Sequence, residues 1–428
     1  MTQARPVQPA PPGPTDQPDQ PARGLRVAVF GFDLGEASQI RRIRALRTLG
    51  CEVTSFCQRR EGTPEFTPEW PNVDLGLVRH QDIKGRALGL GHAVRRALSQ
   101  WRVLAGADLV IARNLDLALI ALAARRLACL RAGKRQPPLV YECLDIHDLM
   151  TAPGRKGRIM RAAERQVLSR AALIAVSSPG FVEHYFGPMQ GWRGPVALVE
   201  NKLWLGLDPA AQPPRPAPAP VPQGALTTGP LTLGLVGSIR CQASVDLLFR
   251  TAALMGDRLR LRFAGALHDH ALTDFRARLA ACPNAEWTGP YAYPQGLEGA
   301  YAGCDLVWAQ DMWQRGTNSD WLLPNRIYEA SWCGCPQIAL STTQTGRRIA
   351  ADGLGHVIDA PQPEALAALL DGLDRDALQA LRARLRARPA SDFVLSPQEL
   401  LPMLAPALEP DRRQGARPGR ASALPDRG

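Results

Sequence analysis

No run of about 18 apolar residues occurs in this 428-residue chain, so no membrane-spanning helix is expected. Residues 1–23 carry seven prolines and no apolar stretch. They are expected to be disordered, and not to act as a signal peptide. The nine cysteines are scattered, and Cys57, Cys143 and Cys304 fall in or beside apolar segments, a pattern of reduced cytosolic thiols. Cys333-Gly-Cys335 is too tight for a redox pair, and no second cluster supports zinc, so no metal is expected. No RNP motif, zinc finger or aromatic-interleaved basic strand points to nucleic acid. No Gly-x-Ser-x-Gly, His-Glu-x-x-His or Walker loop appears, and no Ser/His/Asp triad stands in a fitting context. Hydrolases of those classes are therefore unsupported.

What is present is core-forming material and an uneven charge. Hydrophobic residues make up 45% of the chain, ample for two or three domains. The net charge is +11. Residues 24–205 carry about +11 of it, whereas residues 231–405 stand near −2. A basic domain meets nucleic acid, an anionic bilayer or a phosphorylated substrate.

Periodicity divides the chain in two. Apolar strands are predicted at Leu25–Phe30, Glu52–Phe56, Asp108–Ala112, Leu139–Cys143, Leu173–Ser177 and Val196–Glu200, with helices at Gly85–Ala105, Leu117–Ala132 and Gly157–Arg170. Residues 206–230 hold eight prolines and read as a linker. The alternation then restarts, with strands at Leu231–Val236, Arg260–Ala264, Ala285–Thr288, Asp305–Ala309, Gln337–Leu340 and His356–Ile358. Alternation of this kind predicts α/β domains with doubly wound parallel sheets, here spanning 24–205 and 231–405. Ser391–Leu404 is a candidate helix crossing back to the first domain, and residues 406–428 read as a disordered tail. The Gly31-Phe-Asp-Leu-Gly35 turn opens the first domain in the Rossmann manner, without the acid that argues for NAD.

One stretch organises the rest, Trp321 to Ala339. Pro324 suits a first helical turn, Gly334 a left-handed cap, and Pro336 a stop. Asn325, Arg326 and Glu329 share one face of the helix between them. A helix N-terminus after the polar loop Gly316–Asp320 can seat a phosphate, and a carboxylate one turn on can accept from vicinal hydroxyls. Phosphate followed by ribose is the order of a nucleotide.

Pro-Asn-Arg-x-Tyr-Glu-x-x-x-x-Gly-x-Pro-x-Ile-Ala resembles the donor-binding segment of group 1 (GT4-like) GT-B glycosyltransferases, the bacterial exopolysaccharide and cell-surface glycan type. The resemblance covers roughly residues 25–400. It implies a GT-B fold, two Rossmann-like domains facing a cleft. It also implies sugar transfer from a nucleotide-sugar to a hydroxyl, with retention of configuration and no cofactor. Glu329 would hold the ribose, and Arg240, in the loop Gly237–Arg240, would neutralise the departing diphosphate with Arg326 and Asn325. The usual Lys a few residues later is missing, since residues 241–249 contain no Lys or Arg. A second glutamate of the family is replaced by Trp321, so Asn318 and Ser319 are candidates for holding the sugar or its phosphates. Gly31 is counted with the nucleotide-sugar contacts. Val140–Asp148 follows a buried strand. Asp145 there matches a family acid, Leu144 stands where a histidine is usual, and His147 is its candidate replacement; both would orient sugar or acceptor. Glu142 reads as structural. Arg158, Arg161 and Arg165 recur on one helix face that could meet acidic head groups or a lipid diphosphate. The implied partners are a nucleotide-sugar, a lipid-linked glycan acceptor and an anionic membrane surface, and the implied place is the cytosol or the inner membrane face. Two other readings stay open: a catalytically degenerate GT-B binding partner, and a UDP-sugar 2-epimerase on the same fold.

Overall fold

The computed structural model describes residues 22–60, 66–78, 83–206 and 229–409. Its first sheet contains β1 (Arg26–Gly31), β2 (Glu52–Arg60), β3 (Asn72–Val78), β4 (Leu109–Arg113), β5 (Leu139–Cys143), β6 (Leu173–Val176) and β7 (Val196–Leu198). They lie in the order β3-β2-β1-β4-β5-β6-β7, all parallel. The second contains β8 (Leu231–Val236), β9 (Leu259–Ala264), β10 (Ala285–Trp287), β11 (Leu306–Trp308), β12 (Gln337–Leu340) and β13 (Gly355–Ile358), in the order β10-β9-β8-β11-β12-β13. β1 is central because Val27, Ala28, Val29 and Phe30 are buried on both faces, as parallel strands covered by helices require. β8 repeats this with Leu231, Leu233, Leu235 and Val236. Strand order reverses direction beside β1 and beside β8, and such switch points open a crevice at the carboxyl ends of the strands.

The two α/β sheets and most strands agree with the sequence reading, and the departures have local causes. β3 went unread: it is an edge strand, broken in pattern by Asp74 and by Gly76 at φ +113°. The helix expected at Gly85–Ala105 is two, Ile83–Leu98 and Trp101–Gly106. Between them Ser99 Oγ donates to the Arg96 carbonyl at 2.8 Å, and Gln100 leaves helical geometry at φ −110°, ψ 40°. The proline-rich linker and the ends of both tails lie outside the described residues. Ala22, inside the expected tail, is buried.

The last segment returns to the first domain. In place of one helix over Ser391–Leu404 there are turns at Ala390–Asp392 and Pro397–Leu400 and a helix Leu401–Leu408. Ser396 and Glu399 cap the restart. The helix thus runs three residues into the stretch expected to be a tail. Leu400, Met403 and Leu404 are fully buried against Val27, Val29, Ile43 and Leu46. Where the chain crosses back it pairs with its outward crossing: Leu203 N–H donates to the Phe393 carbonyl at 2.9 Å, and Leu395 N–H to the Leu203 carbonyl at 2.7 Å.

Candidate active site

A cavity of about 260 Å³ opens at the carboxyl ends of β8 and β11. β8 is followed by Gly237, whose φ of +105° favours glycine. Gly265, after β9, lies so close that a Cβ there would stand 1.9 Å from the Gly237 carbonyl oxygen. The two loops can therefore approach backbone to backbone. Arg326 fixes the loop after β8: Nε donates to the Val236 carbonyl at 2.5 Å and Nη2 to the Ser238 carbonyl at 3.1 Å. Arg326, the expected second cation, lines the cavity with two of its nitrogens spent on the loop.

Arg240 is the accessible cation. Its side chain is half exposed, with Nη2 3.8 Å from Asp311 Oδ2 and the guanidinium 5.8 Å from the centre of the Trp313 ring. Two helices begin at the cavity, Gln242–Met255 after Cys241 and Asn325–Trp332 after Pro324. Pro324 is the cap rather than the first helical residue, which leaves Asn325 to open the helix. Neither first turn contains an acid, so both N-termini offer uncompensated positive ends. Glu329 also lines the cavity, and Tyr301 Oη donates to its Oε2 at 3.4 Å. Burial pushes the Glu329 carboxyl up; Arg41 and Arg326 oppose the shift. Sequence reasoning missed Tyr291, Gln310 and Asp311 in the lining. Gln310 and Asp311 follow β11 directly, and that position was their available signal.

Across the cleft, Glu142 is buried between Arg42 Nε at 2.7 Å and Arg113 Nε at 3.0 Å. Burial alone would raise its pKa; Arg113 and Arg42 overcome that and hold it low. Asp145, just beyond β5, is exposed to solvent. Crowding by neighbouring groups pushes its carboxyl up to about 6, against the opposing pull of Asn318 and Arg240. His147 does not line the cavity. It is exposed, and Nδ1 caps a short helix by accepting from Leu149 N–H at 3.2 Å, which leaves no support for its catalytic reading. Gly31 is also corrected: it is buried, and a Cβ there would meet the Gln39 side chain at 2.5 Å, so Gln39 occupies its open side.

Asn318 and Ser319 are not in the lining either. Ser319 is buried, with Oγ accepting from Gln314 N–H at 2.7 Å and donating to Asp311 Oδ1 at 3.2 Å. Asn318 reaches the other domain, to Asp145 and the Ile146 amide. Trp308 is wholly core, and Trp321 stacks on His184 at 5.8 Å. The expected basic face is only partly built. Arg161 donates to the Met150 and Ala152 carbonyls and is half-buried; Arg165 donates to Gln190 yet is exposed, as are Arg155, Lys156 and Arg158.

A family profile described as "Glycosyl transferase 4-like domain" matches residues 35–202. The chain is 33% identical over 353 residues to the succinoglycan biosynthesis protein ExoL of Rhizobium meliloti, covering 82% of this chain and 85% of that protein. The chain belongs to the GT4-like glycosyltransferases. Solved structures agree on the GT-B fold. Sucrose-phosphate synthase from Thermosynechococcus elongatus has a TM-score of 0.65 at 13% identity, covering 91% of this chain and 100% of that one. Anabaena HepE, solved with UDP, has 0.58 at 14% identity, covering 89% and 99%. In this glycosyltransferase the cavity is lined wholly by the second domain; Asp145 of the first lies outside that lining, close enough for the charges of Arg240 and Asp311 to act on it.

Proposed function

We propose that this glycosyltransferase takes its sugar from a nucleotide-sugar seated in the β8–β11 cavity. The acceptor is a hydroxyl of a lipid-linked glycan in exopolysaccharide assembly. The observation that carries the donor reading is the order of groups along one wall: two helix N-termini and Arg240 for a diphosphate, then Glu329 one turn deeper for ribose hydroxyls. Transfer proceeds with retention. The C1–phosphate bond breaks as the acceptor oxygen bonds C1, and the acceptor proton passes to the departing diphosphate. No protein nucleophile is then needed; the protein positions the reactants and neutralises charge. The acceptor glycan enters from the Asp145 side. Similarity to ExoL supports the pathway. Among the described residues no helix is long and apolar enough to cross a membrane. Arg155, Lys156 and Arg158 beside Ile159, which is 67% exposed, supply a basic and apolar edge for the cytosolic face of an anionic bilayer.

Calorimetry with UDP-, GDP- and dTDP-sugars on wild type and on Glu329→Ala tests the donor reading. Saturable binding of one nucleotide, weakened in the variant, is expected. A well-folded wild type that binds none of them overturns it. Vesicles containing phosphatidylglycerol test the edge: Gln at 155, 156 and 158 should weaken binding, most at low salt. Equal binding by variant and wild type removes the membrane contact.

A further inference from the structure

Within the donor domain, Gln314–Trp321 is a clasp seated on the other domain. Ser178 Oγ donates to the Trp321 carbonyl at 2.5 Å, and a Cβ on Gly180 would stand 2.5 Å from that oxygen. Gln314 Nε2 donates to Asp148. At the centre, Asn318 makes a two-point contact with the loop after β5. Its Oδ1 accepts from Ile146 N–H at 2.7 Å and its Nδ2 donates to Asp145 Oδ1 at 3.1 Å. Asn318 is 7% exposed and does not line the donor cavity. An amide has both the acceptor and the donor this contact requires; a carboxylate or an alkyl group does not.

We infer that Asn318 is a positioning residue: it orients the Asp145 carboxylate toward the acceptor side of the cavity only while the clasp is seated, so that domain seating and readiness of Asp145 are one event. The inference rests on the donor reading above. Asp145 lies outside the cavity lining, and Arg240 and Asp311 of that lining act on it by charge from the donor domain, as Glu36 does from the first. Among the described residues Asn318 supplies the donor-domain hydrogen bond to Asp145, and separation of the domains removes it.

Two variants test this. Asn318→Ala removes both contacts. Asn318→Asp keeps shape and the acceptor for Ile146, loses the donor to Asp145, and so remains informative if the alanine variant fails to fold. UDP affinity by calorimetry should change less than about twofold, because the donor cavity is untouched. Turnover should fall about 10- to 100-fold, the scale of one hydrogen bond to a charged group. The acid limb of kcat, expected near pH 6 in wild type, should move upward in Asn318→Ala, because the lost N–H had favoured the ionised form, and further in Asn318→Asp, where a second carboxylate also stands beside Asp145. Unchanged kcat and limb overturn the inference, as does loss of UDP binding, which would make Asn318 a donor ligand. Titration of Asp145 by ¹³C NMR of Asp-labelled protein reads the same contact without turnover. An inactive wild type therefore sinks the transfer reading alone, and an identical Asp145 titration in wild type and variants sinks this inference alone.

Discussion

Glu329 and Arg240 lie in one cavity but act at different moments. A ribose bound to Glu329 is held equally before and during transfer. Glu329→Ala should therefore raise the donor KM and lower kcat/KM about 10- to 100-fold, the cost of one hydrogen-bonded charge. Unaltered donor kinetics would take Glu329 out of the site. Glu329→Gln, which keeps an acceptor oxygen, should lose less. Arg240 meets charge that grows only as the sugar–phosphate bond breaks, so Arg240→Ala should lose more in kcat than in KM. An effect on KM alone would contradict a leaving-group role. The half exposure of Arg240 fits that division, since a cation already paired with Asp311 at close range would have less to give to a phosphate.

At the scale of elements, the Arg42–Glu142–Arg113 cluster joins the helix Ala37–Thr48 to the ends of β4 and β5. Glu142→Ala would leave the buried Arg42 guanidinium without its carboxylate and Arg113 with Glu36 alone at 3.4 Å, an expected loss of about 3–5 kcal/mol. A thermal melt checks it, and an unchanged Tm would mean that water reaches the cluster. Elements of this kind divide into those a sequence displays and those it hides. The helix carrying Glu329 was legible because Pro324 and Gly334 mark its ends and Asn325, Arg326 and Glu329 repeat on one face. Gly237 was legible as the turn after a buried strand. The role of Arg326 was not, because its partners lie 90 and 88 residues away. Asn318 finds Asp145 at a separation of 173 residues, and no local pattern encodes that pairing. Gly31 misled for the opposite reason: its local pattern fits a nucleotide turn, while Gln39 packs over it. Charge spacing misled likewise at Arg161, where the nearest carbonyls claim the guanidinium.

At the scale of the whole molecule, the two domains are joined unequally. The donor cavity is built from the second sheet and its loops, yet the chain's last helix belongs to the first domain. Leu401–Leu408 packs beneath β4, β6 and β7, with Met403 and Leu404 fully buried. The outward and returning crossings pair at Leu203 and Val394. A change in that last helix should therefore act on the distant domain and spare the nearer one in sequence. Met403→Ala should cost about 2–5 kcal/mol through lost burial and the cavity left behind. Hydrogen exchange should quicken in β4 and β6, while amides of β8, β11 and β12 keep wild-type rates. UDP binding should persist, because none of its proposed contacts rests on the first sheet. Transfer should fail earlier on heating than UDP binding does, since Asp145 is carried by the weakened domain. Faster exchange confined to β8–β13 would show instead that the returning helix stabilises the donor domain, and would place the mechanical boundary of the two bodies after residue 408 rather than at the paired crossings.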